Sequence, residues 1–121
     1  MPGATPSGTR VPRHLDTRAL QLKIDDAGAQ FWSGALEQTQ LTYFEVGPHC
    51  RFESHSHLSE QITLVLEGEL YFETAAGTSR VTAGEVMAIP AEVDHAVYTK
   101  EVAARAVDAW SPINEKYHAA R

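Results

Sequence analysis

Turn-forming clusters interrupt this chain about every eight to twelve residues, a rhythm that leaves room for short strands and little room for helices. Asp25-Asp26-Ala27-Gly28, Gly47-Pro48, Glu67-Gly68, Ala75-Ala76-Gly77-Thr78 and Ala83-Gly84 are the clearest. The runs between them favour extended structure. Leu20, Leu22 and Ile24 alternate with polar Gln21 and Lys23, and Tyr43 and Phe44 bring β-favouring aromatics to the run before Gly47. Strands are expected at 19–24, 30–36, 40–46, 51–57, 60–66, 70–74, 80–82, 85–89, 95–100 and 104–110. Residues 101–109 are rich in Ala, Glu and Arg and have helical propensity, yet a closed sheet needs a partner strand there, so a strand is expected. Ser111-Pro112 reads as N-cap and first residue of a short C-terminal helix reaching Ala119. The fold class is therefore all-β, a sandwich or barrel.

One stretch carries chemistry. His55 and His57, one residue apart, can act together only on extended backbone, where alternate side chains share a face. On a helix the two rings would splay apart. Gln61 follows after the polar linker Leu58-Ser59-Glu60, at the start of a second strand. Parity puts Gln61, Thr63 and Val65 on one face and Ile62, Leu64 and Leu66 on the other, with Glu60 facing away from the ligands. A third imidazole, His95, follows a glycine turn at Gly84, a short apolar strand and Pro90. Imidazoles joined by one side-chain oxygen suit a divalent cation.

These two blocks resemble the paired motifs of the cupin superfamily, small double-stranded β-helix (jelly-roll) barrels. The first, H-x-H-x3-(E/Q)-x6-G, is met by His55, His57, Gln61 and Gly68, and the second, G-x5-P followed closely by H, by Gly84, Pro90 and His95. The resemblance implies one divalent metal ion (Zn, Ni, Fe, Mn or Cu) held by His55, His57, Gln61 and His95. Most such sites place glutamate where this chain has Gln61, so four neutral ligands leave the full +2 on the ion, which favours a Lewis-acid or water-activating role. The segment from Asp108 to Tyr117 is similar to the closing D-x-F-S-P-x-R-E-D-Y of the pectin-degradation cupins, which convert ring-form unsaturated uronates to linear keto forms. By that likeness Asp108 is a general acid/base and Trp110 a substrate-binding aromatic. The family's arginine falls at Asn114, and asparagine cannot form the bidentate pair that arginine makes with a carboxylate. The expected function is metal-assisted ring opening, tautomerisation or isomerisation of a small polar, sugar- or uronate-like substrate. A non-haem iron dioxygenase and a non-catalytic small-ligand-binding cupin are the alternatives.

The chain has 121 residues, enough for a single domain, read as a flexible tail over 1–18 and one barrel over 19–121. With 16 acidic against 10 basic residues and no basic stripe, neither nucleic acid nor an anionic membrane is an expected partner. The first residues lack the apolar core of a secretory signal, so a cytoplasmic location is expected. Cys50 stands alone and reads as a small, half-buried hydrophobe. His14, His49 and His118 fall outside the motifs and are expected at the surface. An outward row of Ile62, Leu64 and Leu66 would be an exposed apolar patch, best covered by a second copy in a homodimer.

Overall fold

The computed structural model describes residues 11–118 of the chain. Ten strands follow in order: β1 (Lys23–Ile24), β2 (Gln30–Ala35), β3 (Gln40–Val46), β4 (Arg51–His55), β5 (Glu60–Glu67), β6 (Glu69–Thr74), β7 (Gly77–Thr82), β8 (Val86–Ile89), β9 (His95–Tyr98) and β10 (Ala104–Ser111). They form two antiparallel sheets, one in the order β1-β2-β3-β10-β5-β8 and the other β4-β9-β6-β7. This is the expected jelly-roll barrel. No helix among the described residues is long and apolar enough to cross a membrane.

The segment with helical propensity is a strand because both its edges are used. β10 pairs with β3 on one side and β5 on the other, and its side chains alternate in and out, with Ala104, Ala106, Asp108 and Trp110 buried. Paired edges and burial outweigh the few tenths of a kcal/mol per residue that propensity offers. The expected C-terminal helix shrinks to one 3-10 turn, Glu115–Tyr117. Ser111 is spent opposite Glu60 in the sheet, and Asn114 caps the turn instead, its side chain accepting from the Lys116 N–H. The far end of that expected helix, from Ala119, lies outside the described residues.

At the other end, β1 is confined to Lys23–Ile24, and a 3-10 turn, Thr17–Ala19, precedes it. Part of the segment expected to be a tail lies along β2. The Arg13 guanidinium donates to the Ala35 carbonyl at 2.9 Å, and Leu15 sits over Gly34. Residues 1–10 of that expected tail lie outside the described residues.

Between the sheets lie two contiguous apolar clusters. Val65, Leu70, Phe72, Val81, Ile89 and Val97 fill one, while Phe31, Phe44, Val46, Trp110 and Tyr117 fill the other. The Tyr117 ring meets Phe31 and Phe44 edge-on, both at 5.0 Å, which is how the C-terminal turn is anchored. The motif glycine Gly68 makes the β5–β6 turn with φ 76°, and a Cβ there would run into the Ala103 carbonyl oxygen. Parity on β5 is as expected. Gln61, Thr63 and Val65 are buried, whereas Ile62 is 51% exposed and Leu66 40%. Cross-strand register places Ile62 beside Ala109 and Ala88, Leu64 beside Val107 and Val86, and Leu41 opposite Ala109. The outer surface of the larger sheet is thus an apolar field several strands wide.

Candidate metal centre

His55 closes β4 and lies directly across from His95, the first residue of β9. The β4–β9 register shifts between Phe52 and His55, an irregularity of the kind that bends a strand locally. His57 lies two residues further on, past the strand end, where a strand through 57 was expected. The corner that carries it is held by the opposite loop, since Glu92, in the left-handed region at φ 65°, donates its N–H to the His57 carbonyl at 2.8 Å. The three rings still converge. Their centroids are 4.4 Å (His55–His95), 5.0 Å (His57–His95) and 5.5 Å (His55–His57) apart, with ligand nitrogens all within 4.8 Å of one another.

Hydrogen bonds to main-chain carbonyls set the tautomer of every ring. Nδ1 of His55 lies 2.7 Å from the Glu53 carbonyl, Nδ1 of His57 2.9 Å from that of Ser59, and Nδ1 of His95 2.9 Å from that of Val93. A carbonyl only accepts, so each Nδ1 carries the hydrogen and each neutral ring keeps its lone pair on Nε2. Burial, the largest cause, pulls His95 below the ordinary imidazole range. Its Nε2 is buried with no hydrogen-bond partner. Such an orphaned acceptor is costly unless something electropositive meets it.

Gln61, at the inner face of β5, places Oε1 3.0 Å from His57 Nε2. Two lone pairs facing each other at that distance repel, and a cation between them removes the conflict. Orphaned His95 Nε2, three rings of one tautomer and an amide oxygen turned toward them together fit a divalent cation. His55, His57, His95 and Gln61 are the residues that would hold it, the set expected from the sequence.

Asp108 and Trp110 stand beside this set on β10. Asp108 accepts from the Thr63 hydroxyl at 2.5 Å and from Gln61 Nε2 at 3.4 Å. Burial raises its carboxyl to about 7, against the pull of the Thr63 hydrogen bond. Trp110 meets His57 edge-on at 5.4 Å and stacks on Tyr117 at 5.9 Å, and its Nε1–H is committed to Thr42 at 2.9 Å. Asn114 is occupied in capping the final turn. Of the remaining candidates, Glu60 faces outward, His14 and His49 are exposed, His118 is half-buried, and Cys50 is a half-buried thiol bonded to the Ala27 carbonyl.

A cavity of about 50 Å³ opens behind the ligands, reached by His55, Gln61, Thr63, His95, Asp108 and Trp110 at one end and closed by Phe44, Phe52, Leu70, Phe72 and Val97 at the other. That is space for a few waters or one reacting group. Outside it runs a groove of about 460 Å³ past His55 and His57, bordered by Arg51, Asn114 and Lys116. The groove has the volume of a small-molecule site. Both cations on its rim are paired, Lys116 with Asp26 and Arg51 with Glu53 and Glu73.

Three contributors escaped the sequence reading. Thr63 is legible there only as an inward residue, and its link to Asp108 joins residues 45 positions apart. The carbonyls of Glu53, Ser59 and Val93 have no side-chain signature at all. Glu92 has none either, since glutamate seldom takes the left-handed region.

Comparison with solved structures supports the architecture. The chain resembles a RmlC-like cupin from Shewanella frigidimarina (TM-score 0.80, 18% identity, covering 89% of this chain and 97% of that one). It also resembles KdgF from Halomonas sp. (TM-score 0.78, 16% identity, 85% and 97% covered). A third likeness is to the polyketide cyclase RemF from Streptomyces resistomycificus (TM-score 0.73, 23% identity, 85% and 81% covered). At such identities the likeness is one of fold. No curated protein matches the sequence. The description of the cupin domain matches residues 42–110, more than half of the chain, from within β3 to Trp110 in β10, so this protein belongs to the cupin family.

Proposed function

We propose that the protein is a metal-dependent enzyme acting on a small polar substrate of the sugar or uronate type, by ring opening, tautomerisation or isomerisation. The observation that carries this reading is the convergence of three Nε2 lone pairs, one of them orphaned in the interior, with the Gln61 oxygen. A divalent cation bound there supplies Lewis acidity toward a carbonyl or hydroxyl oxygen, undiminished by any ligand charge. Asp108 lines the same cavity and is the group placed to take a proton from the substrate or return it. Phe44, Phe52 and Phe72 make the inner end apolar, while the outer groove has room for the body of the substrate. Among the described residues no Lys or Arg lines the inner cavity. A substrate carboxylate would therefore lie in the groove near Arg51 and Lys116, with the reacting oxygen alone reaching inward.

The test is elemental analysis of the purified protein, followed by assay of the metal-loaded form on 4,5-unsaturated uronates and on neutral hydroxy-carbonyl sugars. Loss of the ring double bond, or sugar interconversion that stops on chelation, supports the proposal. A protein that takes up no metal refutes it. The apolar inner wall favours one further reading, a dioxygenase-type cupin with Fe(II) and a small aromatic or diketone substrate. Oxygen uptake by the iron-loaded protein separates the two.

A further inference from the structure

We propose that Thr63 and Asp108 are positioning residues that hold the Gln61 amide with its oxygen toward the metal position, and that Asp108 is the reason an amide stands at this place. This rests on the metal-binding reading above. An amide has two different ends, and turning it over exchanges a ligand for a non-ligand. The ring it faces does not choose the productive end. His57 Nε2 carries a lone pair and, without a cation, would prefer the amide N–H.

The opposite end decides. Asp108 accepts the Thr63 hydroxyl hydrogen, so Thr63 Oγ1 has only lone pairs left to offer, and Gln61 Nε2 lies 2.9 Å from it. The second amide hydrogen points to Asp108 Oδ2 at 3.4 Å. Turned over, the amide would set its oxygen against a carboxylate and against a hydroxyl already committed elsewhere. All three residues are buried, where an electrostatic conflict of that kind costs more than it would at the surface. An ionised carboxylate at 61 would have no hydrogen to give to Thr63 Oγ1 or Asp108 Oδ2. The amide is thus the ligand that offers an oxygen to a cation on one side and hydrogens to two acceptors on the other.

The test is calorimetric titration of the metal-free full-length protein with Zn²⁺, with thermal melting of each metal-free variant as the fold control. Thr63→Val should weaken Zn²⁺ binding on the order of 10- to 100-fold, the usual effect of losing a residue that orients a ligand. Thr63→Ser, which keeps the hydroxyl, should restore affinity to within about threefold of wild type. In a Gln61→Glu background the same Thr63→Val change should have little effect, because a carboxylate offers an oxygen at either end. If valine does not pack, Thr63→Ala carries the same test. A folded Thr63→Val protein that binds Zn²⁺ like wild type overturns the positioning role alone. So does a penalty that persists undiminished with Gln61→Glu. A wild-type protein that binds no Zn²⁺ overturns the metal reading and this inference with it.

Discussion

Replacing Thr42 by valine changes one hydroxyl to a methyl at almost constant volume, beneath the wall of the site. Thr42 is fully buried, accepts from Trp110 Nε1 at 2.9 Å and shares a hydrogen with Ser33 at 2.9 Å, and Ser33 in turn accepts from Gln40. Valine leaves the indole N–H without an acceptor, a loss of about 1–3 kcal/mol for a buried donor. One neutral hydrogen bond to Ser33 goes as well, about 1 kcal/mol. Burial of the new methyl returns about 0.8 kcal/mol. The net destabilisation should be about 2 kcal/mol, or about 8 °C in melting temperature for a domain of this size. Chemical and thermal unfolding of the metal-free protein, at fixed pH and with a chelator present, measure it. The point at issue is the job of Trp110. If its polar edge is tied to Thr42, only the ring faces the cavity, and the residue shapes and supports the site without offering a hydrogen bond to substrate. A destabilisation under about 0.5 kcal/mol would refute this, because the indole N–H would then have found water or the cavity.

Zn²⁺ at a free concentration a hundredfold above its dissociation constant should raise the unfolding free energy by about 2.7 kcal/mol, and His95→Ala should abolish that gain, read as the melting temperature with and without metal. Gly68→Ala should destabilise the fold by about 3 kcal/mol, since it combines a left-handed backbone with a Cβ driven at the Ala103 carbonyl; urea unfolding measures it, and a change below 1 kcal/mol would contradict the turn geometry. The apolar outer face of the larger sheet is expected to be covered by a second copy of the chain. Ile62→Lys should then convert a dimer to a monomer by light scattering coupled to size exclusion, without lowering the melting temperature of the isolated monomer. A wild-type protein that stays monomeric at high micromolar concentration would refute that expectation.

Much of the candidate ligand set was legible because strands have a period of two and glycine turns punctuate them. From Gln61 onward parity alone sorts Thr63 and Val65 inward and Ile62 and Leu66 outward, and the structure follows it. The same logic placed His57 on a strand, where the chain instead turns a corner after His55. Spacing between histidines cannot distinguish a strand end from a loop that brings the ring back to the same point. Residues 104–111 show the converse limit, because a sequence with helical propensity becomes a strand once β3 and β5 occupy both its edges.

Residue type and local period therefore determined the all-β class, the turns and which side chains could serve as ligands. Folding alone decided how those ligands are poised. The carbonyls that set three tautomers, the left-handed Glu92 that ties two loops, and the Thr63–Asp108 pair that orients Gln61 join residues remote in sequence or use groups every residue possesses. Such pairings exist only when closure of the barrel removes water and leaves each polar atom to find its partner inside.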